Sequence, residues 1–272
     1  MDNIPLNEIY QHKLNFLIGA GASSGLFPTL WLSVKDSEDP SKEETIETLA
    51  TKLDLQGKKH HHTLLFMYYY QQIIEPVCKF ELIEITKEEQ KTVVDNYEVF
   101  IDSIVRLMQH KNDFSRRCNL FTTNYDGCVP FVADKLLKKG GLVFHLNDGS
   151  SGFLEKTLSA KNFNSYLCES GVFGKHSSDI PQINVINLHG SAYWRKNGDS
   201  ISVDYKSTDT NVVIPSEAHD GLEQLAAVLN DGTKNTEDVL AINIEFTDEV
   251  VSSFWDAYNK LPIVNPTKWK FH

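Results

Sequence analysis

The chain has 272 residues, of which 41% are hydrophobic, and it carries a formal net charge of −11 at pH 7. A chain of this length can bury one sizeable α/β core, or one core with a smaller lobe. The net negative charge argues against direct binding to nucleic acid or to an anionic membrane. The four cysteines form no C-x-x-C pair, so the sequence indicates neither a zinc ribbon nor a thioredoxin-like motif. No stretch approaches the roughly 18 apolar residues of a membrane span, and no basic segment followed by an apolar run opens the chain, so we expect a cytoplasmic protein.

The first predicted strand leads directly into a glycine-rich turn. Residues 15–19 form the short apolar run of a buried parallel strand, and the segment from Gly19 to Gly25 reads Gly-Ala-Gly-Ala-Ser-Ser-Gly. Such glycines permit a tight turn and a close approach of the backbone to a pyrophosphate. The spacing is one residue longer than the dinucleotide fingerprint, and no ribose-binding acid is evident about 20 residues on, which disfavours an ordinary dehydrogenase. The simpler interpretation is a glycine turn required only by packing.

Three helices are predicted in an insertion covering about residues 41–110. The first is expected to begin with a capping box formed by Ser41 and Glu44. The second, over about residues 63–76, is apolar nearly all round and is therefore expected to be buried. The third, over residues 86–108, begins with a second capping-box pattern and carries an apolar stripe with the 3.6-residue period.

The rest of the chain alternates between strands and helices. We predict a strand at 119–122, a helix at about 129–139, a strand at 142–144, a strand at 183–188 and a hairpin at 193–205 around Asn197-Gly198. Residues 147–182 are rich in Gly, Ser and Asn and predict a long surface excursion. The pattern predicts a Rossmann-like parallel sheet with a helical insertion and a small additional lobe, in a single domain over residues 1–272. Only about four parallel strands are evident and the chain stops in an aromatic stretch, so we expect the full-length protein to continue beyond residue 272.

Unusual polar sets follow three of the predicted strands. They are Gly-Ala-Gly-Ala-Ser at 19–23, Thr-Thr-Asn-Tyr-Asp at 122–126 and Leu-His-Gly-Ser at 188–191. In open parallel sheets the ligand lies beyond the carboxyl ends of the strands, so these segments can converge. Taken singly, Asn-Tyr-Asp is typical of a turn that bonds its own backbone, and a lone histidine is more often a structural group. Their joint occurrence favours a shared ligand site.

In this order, and each after a strand, the three motifs resemble the sirtuin superfamily, which binds NAD and cleaves its nicotinamide–ribose bond. The resemblance covers scattered motifs between Asn15 and Ser191. The chain departs from sirtuin deacylases, because Gly-Leu-Phe-Pro-Thr-Leu at 25–30 replaces their Pro-Asp-Phe-Arg-like segment and their four-cysteine zinc module is absent. Pro-Ile-Val-Asn-Pro-Thr-Lys at 262–268 resembles a segment of the bacterial antiphage branch, which destroys NAD. Protein deacylation is therefore the less favoured activity.

The resemblance assigns roles to the residues of these motifs. It implies that Asn124 orients the nicotinamide ribose and the attacking water, that Asp126 contacts the carboxamide, and that His189 is the general base. The implied set for binding NAD, which is the substrate, is Gly19, Ala20, Gly21, Ser23, Thr123 and Asp126. The chemistry agrees, because an amide both donates and accepts hydrogen bonds and an imidazole titrates near neutrality. No metal is expected, and His60-His61-His62 is predicted to be a solvated helix entry because adjacent residues do not easily face one ion.

The resemblance also implies restraint of the enzyme by assembly. Relatives in the antiphage branch act as oligomers, some beside a HerA-like ATPase, so a homo-oligomer and a HerA-like ATPase partner are expected. The competing hypothesis is a non-catalytic module that senses NAD or ADP-ribose within a defence complex. Retention of both Asn124 and His189 favours the enzyme, because a sensor has no need of a base.

Overall fold

The computed structural model describes residues 12–80, 85–111, 116–171, 174, 177–206 and 210–266. The chain divides into two compact units. Unit 1 comprises the chain up to Leu26 together with Phe80–Ser207. Unit 2 comprises Phe27–Lys79 and the chain from Thr208 onward.

All strands of the described residues belong to unit 1, and helices occur in both units. The strands are β1 (Leu14–Ile18), β2 (Arg117–Thr122), β3 (His145–Asn147), β4 (Ser150–Ser151), β5 (Thr157–Leu158), β6 (Cys168–Ser170), β7 (Ser177–Asp179), β8 (Gln182–Asn187), β9 (Trp194–Asn197) and β10 (Ser200–Val203). The α-helices are α1 (Ile46–Leu55), α2 (Lys59–Tyr69), α3 (Glu75–Cys78), α4 (Glu88–Gln109), α5 (Cys128–Lys139), α6 (His219–Leu229), α7 (Thr236–Leu240) and α8 (Asp248–Tyr258). A π-helical turn, Tyr70–Ile74, joins α2 to α3, and short 3₁₀ turns occupy Ala20–Ser23, Ala160–Asn164 and Ser216–Ala218.

The central sheet of unit 1 has four strands in the order β1-β2-β8-β3, and all of them are parallel. Its register aligns Ile18 with Thr122 and Thr122 with Asn187, so three strands end at the same level. The Rossmann-like α/β class predicted from the sequence is confirmed. Unit 1 also holds a small antiparallel sheet of β4, β5, β10 and β9, and a two-stranded ribbon of β6 and β7.

One face of the parallel sheet is apolar and is covered by helices. Along β2 the buried residues alternate with half-buried ones, and Leu120 is fully buried. The apolar stripe of α4 is buried as its period predicts, and the ring of Phe100 meets Phe16 of β1 edge-on at 5.3 Å. Complete burial of a side chain such as Leu120 stabilises the fold by about 1.5–3 kcal/mol, so this face forms the core of unit 1.

The opposite face of the sheet is more polar and more exposed. Asn15, Asn119, Asn184 and Asn147 occupy one register across all four strands. Leu17 is 71% exposed, although both faces of a parallel sheet are usually covered.

Several local predictions are confirmed. Strands β1, β2 and β8 lie within a residue or two of their predicted positions, and α5 ends at Gly140, whose φ of 75° suits a glycine. The hairpin of β9 and β10 turns at Gly198, which also has a positive φ of 59°. The excursion over 147–182 is present, but it contains β4 to β7 and a 3₁₀ turn rather than only irregular chain.

Other local predictions are wrong. The strand expected at 142–144 lies instead at 145–147, because pairing with β8 begins where the amide of His145 donates to Pro181 at 2.8 Å. The expected cap at Ser41 is replaced by Thr45, which forms a reciprocal capping box one turn later. Lys87 precedes α4 without any side-chain cap.

The helices of the expected insertion are divided between the two units. Helices α1 to α3 belong to unit 2, whereas α4 belongs to unit 1 and packs on α5. In unit 2, α2 packs against α1, α6 and α8, and its residues from Thr63 to Tyr69 are all buried. No helix of the described ranges is both long and apolar enough to cross a bilayer.

Candidate functional site

The loops that carry the three motifs meet at the carboxyl edge of the parallel sheet. The amide of Thr123 donates to the carbonyl of Ile18 at 3.1 Å, which ties the loop after β2 to the end of β1. The amide of Ala192 donates to the carbonyl of Tyr125 at 3.0 Å, which ties the loop after β8 to the loop after β2. Segments 105 and 67 residues apart in the sequence are therefore held side by side, as the rule for ligand sites in open parallel sheets requires.

Asn124 and His189 leave neighbouring strands at the same level. Thr122 and Asn187 are partners in the register, and the amide of Leu188 donates to the carbonyl of Thr122 at 2.8 Å. Asn124 and His189 each follow two residues after that matched pair, on strands that lie about 4.8 Å apart. His189 is half-buried. The sheet thus brings the predicted amide and imidazole to one edge.

The side chain of Asn124 is fixed in one orientation with its oxygen unused. Its Nδ2 donates to the carbonyl of Gly19 at 3.2 Å and to Oγ of Ser23 at 3.3 Å. A carbonyl can only accept, so the nitrogen must face Gly19 and the amide cannot be flipped. Asn124 is only 9% exposed, and its Oδ1 is buried without a hydrogen-bond partner among the described residues. Leaving such an acceptor unpaired costs about 1–3 kcal/mol, so this oxygen is a polar atom that the described residues leave unsatisfied.

Ser23 lies at the centre of the polar network under the glycine turn. Its hydroxyl donates to Oδ2 of Asp126 at 2.8 Å, because a carboxylate can only accept. The single hydroxyl hydrogen is then used, so Tyr97 of α4 must donate to Oγ of Ser23 across their 2.9 Å contact. With Asn124 as the second donor, both lone pairs of Oγ are occupied. Ser23 is 2% exposed, and its hydroxyl has no hydrogen or lone pair left to bind a pyrophosphate. The prediction that Ser23 binds the ligand therefore remains only for its backbone amide.

Asp126 stabilises the loop from within. Besides accepting from Ser23, it accepts from the backbone amide of Cys128 at 3.0 Å through Oδ1. This is the local turn that Asn-Tyr-Asp sequences often form, and here the aspartate makes it while Asn124 reaches across to the glycine turn instead. Contact between Asp126 and a carboxamide remains a prediction.

Packing does not require glycine at two positions of the first turn, Gly19 and Gly21. Gly19 has an extended backbone, with φ −115° and ψ 179°, and Gly21 does not have the positive φ that favours glycine. A Cβ atom at Gly19 would meet nothing closer than Oγ1 of Thr123 at 3.9 Å, and one at Gly21 would meet no atom of the described residues within 4 Å. Gly19, Ala20 and Gly21 are exposed. The surface over this turn is thus open to a ligand, and Thr123 borders it.

Sequence reasoning missed Tyr97 and Cys128 as members of the network. Burial, followed by the neighbouring Asp126 charge, raises the pKa of the Tyr97 hydroxyl and of the Cys128 thiol well above their usual ranges. The shift favours the neutral form of both groups. Tyr97 lies on the apolar stripe of α4, and no local signal in the sequence reveals that its hydroxyl meets a serine 74 residues away.

The histidine run in unit 2 lies at the entry of a helix, as predicted, but it is less solvated than predicted. Helix α2 begins at Lys59, but His60, His61 and His62 are half-buried in it. Burial lowers the pKa of His61 and of His62, and the ring of His62 stacks on Trp255 at 5.6 Å. Within the described ranges no group of three or more His, Cys, Asp or Glu side chains could hold a metal ion.

A scan of the chain against protein-family models found no match, and a search of the curated proteins found none either.

Proposed function

We propose that this protein hydrolyses NAD to nicotinamide and ADP-ribose, and that the resulting loss of NAD serves antiphage defence in a bacterial cell. The observation that carries the proposal is the side chain of Asn124. Its nitrogen is held by the glycine turn, and its buried oxygen has no partner among the described residues. That oxygen is an acceptor awaiting a ligand donor such as a ribose hydroxyl or a water molecule.

The leaving group of this reaction needs no acid catalyst. The C–N bond between ribose and nicotinamide breaks, its electron pair goes to the pyridine nitrogen, and nicotinamide departs neutral without being protonated. Water then bonds to the sugar carbon and gives up a proton. Asn124 orients the ribose and the water, and His189 on the adjacent loop accepts the proton, a role whose loss typically costs about 10²–10⁴-fold in rate.

The exposed glycine turn is suited to the phosphates of the same substrate. The amides of Ala20 and Gly21 begin a 3₁₀ turn, so they have no carbonyl partner within it. Absence of side chains at Gly19 and Gly21 permits close approach of a pyrophosphate. Because Asn124 Nδ2 bonds to the carbonyl of Gly19 at 3.2 Å, the turn and the proposed reaction centre share one rigid support.

The test is incubation of the purified protein with NAD, followed by chromatographic detection of nicotinamide and ADP-ribose. Asn124→Ala and His189→Ala are each expected to lower the turnover about 10²-fold or more. Matched controls are Asn230→Ala and His219→Ala, which change exposed residues of unit 2 and are expected to leave the turnover unchanged. Circular dichroism verifies that every variant is folded. Full turnover in both site variants would refute the assignment.

Assembly and partners belong to the same proposal. We infer a homo-oligomer that a HerA-like ATPase partner activates or restrains, because an uncontrolled NAD hydrolase would harm its own cell. Turnover is therefore measured with and without a candidate ATPase, beside a measurement of mass by size-exclusion chromatography and light scattering. Binding of NAD or ADP-ribose without release of nicotinamide under every condition would identify the competing sensor module instead.

A further inference from the structure

A row of amides crosses the more polar face of the parallel sheet, where its members on β8, Gln182 and Asn184, are buried. The side chain of Asn184 donates to Asn119 at 2.8 Å, and Asn119 donates to Asn15 at 2.8 Å. Gln182 donates to Oδ1 of Asn184 at 2.7 Å. Each amide nitrogen has two hydrogens, and Asn119 and Asn184 each use one of them in this row. The row therefore presents spare N–H donors beside the sheet.

A cavity of about 270 Å³ adjoins this row near the beginnings of the strands. Its lining includes Asn119 and Asn184 from the row, together with Lys13, Arg117, Phe163 and Asn164. Lys13 immediately precedes β1 and Arg117 begins β2, so the cavity lies toward the amino ends of the strands. The five residues of β1, at about 3.3 Å each, separate it by about 16 Å from the glycine turn. It is thus a different place from the proposed NAD site.

The two cations at this cavity are not neutralised by nearby acids. Among the described residues neither Lys13 nor Arg117 has a carboxylate oxygen within 4.0 Å. The guanidinium of Arg117 lies over the ring of Tyr166, 4.6 Å from its centre. Its Nε is buried and finds no hydrogen-bond partner in the described part of the chain. In a chain of net charge −11, the buried Nε of Arg117, which has no partner among the described residues and lies beside a second cation at the same cavity, needs a chemical reason.

The neighbouring arginine shows the contrast. Arg116 donates to Oγ of Ser178 at 3.3 Å and to the carbonyl of Asp179 at 3.4 Å, so its guanidinium is used within the protein. Arg116 is not among the residues that line the cavity. It therefore serves as a control for removal of one positive charge from almost the same place in the sequence.

We propose that this cavity binds the oxyanion of a small metabolite, a phosphate or a carboxylate, whose flat part lies against the ring of Phe163. The ammonium of Lys13, the guanidinium of Arg117 and the spare amide hydrogens of Asn119 and Asn184 all offer hydrogen atoms there, and the side-chain amide of Asn164 can both donate and accept. An arginine fork suits phosphate and carboxylate alike, and an aromatic face favours a planar ring. The volume suits a molecule no larger than a mononucleotide. The proposal does not depend on the proposed NAD hydrolysis.

Titration calorimetry on the full chain tests the proposal with four probes: AMP, adenosine, inorganic phosphate and malonate. We expect AMP to bind, adenosine not to bind, and phosphate to bind more weakly than AMP. If malonate binds in addition to AMP, the natural ligand is identified as a carboxylate. If only AMP and inorganic phosphate bind, it is identified as a phosphate. Absence of binding by AMP, phosphate and malonate at millimolar concentration would overturn the proposal.

Substitutions locate the binding. Lys13→Gln and Arg117→Gln are each expected to weaken the bound anion about 10-fold or more, because each removes a charge-assisted hydrogen bond. Lys13 is exposed, so its substitution leaves the fold intact even if Arg117→Gln does not. Arg116→Gln, and Gly21→Ala in the NAD turn, are expected to leave the affinity unchanged. The location would be refuted if Arg116→Gln weakened anion binding as much as Arg117→Gln does. It would also be refuted if Gly21→Ala weakened anion binding and Lys13→Gln did not.

Discussion

Gly21→Ala separates what the glycine turn does for the fold from what it does for a ligand. The added methyl group would meet no atom of the described residues within 4 Å, and the φ of Gly21 is one that alanine adopts without strain. Alanine also restricts the unfolded chain, so the free energy of unfolding is expected to rise by about 0.4–1 kcal/mol. NAD binding should respond in the opposite direction.

The methyl group at position 21 would occupy the open surface where we place the pyrophosphate. An overpacked contact costs about 1–3 kcal/mol, which corresponds to a loss of about 5- to 160-fold in affinity for NAD. The assay pairs urea denaturation with NAD turnover at subsaturating substrate. A glycine needed only for packing would give the reverse pattern, with lower stability and little specific loss of turnover.

Gly25→Ala is the matched control in the same segment. Gly25 has a φ of 92°, and a Cβ there would come within 2.9 Å of Cγ of Glu89. Strain in this backbone region costs about 1–2 kcal/mol for residues other than glycine, so Gly25→Ala should lower the stability. Loss of stability in Gly21→Ala, or unchanged turnover of NAD by that variant, would refute the reasoning about the turn.

Three further predictions concern stability and thiol chemistry. The side chain of Glu44 is 1% exposed and accepts a hydrogen bond from Lys52 at 2.7 Å. Lys52→Met should therefore lower the free energy of unfolding, measured with urea, by about 3–5 kcal/mol. A decrease below about 1 kcal/mol, the limit for an exposed ion pair, would contradict this. Burial lowers the pKa of His62 in the folded state, so its contribution is present above the unfolded pKa of about 6.5 and is lost as pH falls. His62→Phe, which keeps a ring on Trp255, should therefore reduce the loss of thermal stability between neutral and mildly acidic pH, and an unchanged pH profile would count against it. Cys168 is the one exposed cysteine of the four, and its hydrogen bond to Asp179 raises its pKa, so a thiol reagent should label one site in the native protein, faster at alkaline pH, and four in denaturant.

Local patterns in the sequence were sufficient for the elements that depend on neighbouring residues. A period of 3.6 residues predicts the apolar stripe of α4. Short apolar runs predict the buried strands β1, β2 and β8. Both patterns can be recognised without knowing which distant residues they contact. Because parallel strands end at a common edge, the same patterns also placed Asn124 and His189 together. The class of fold was therefore contained in the sequence, and the role of Asn124 and His189 at this edge stays a prediction.

Only the tertiary structure decided how the polar groups are used. Ser23 donates a hydrogen bond to the carboxylate of Asp126, 103 residues away, and accepts one from the hydroxyl of Tyr97 on α4. The oxygen of Asn124 is then the polar atom without a partner among the described residues. The amide row depends on the register of β1, β2 and β8, and Glu44 became the buried partner of Lys52 rather than a cap. A hydrogen bond depends on distances of a few tenths of an ångström between chain segments, and such distances are fixed by packing and strand register rather than by the spacing of residues along the sequence.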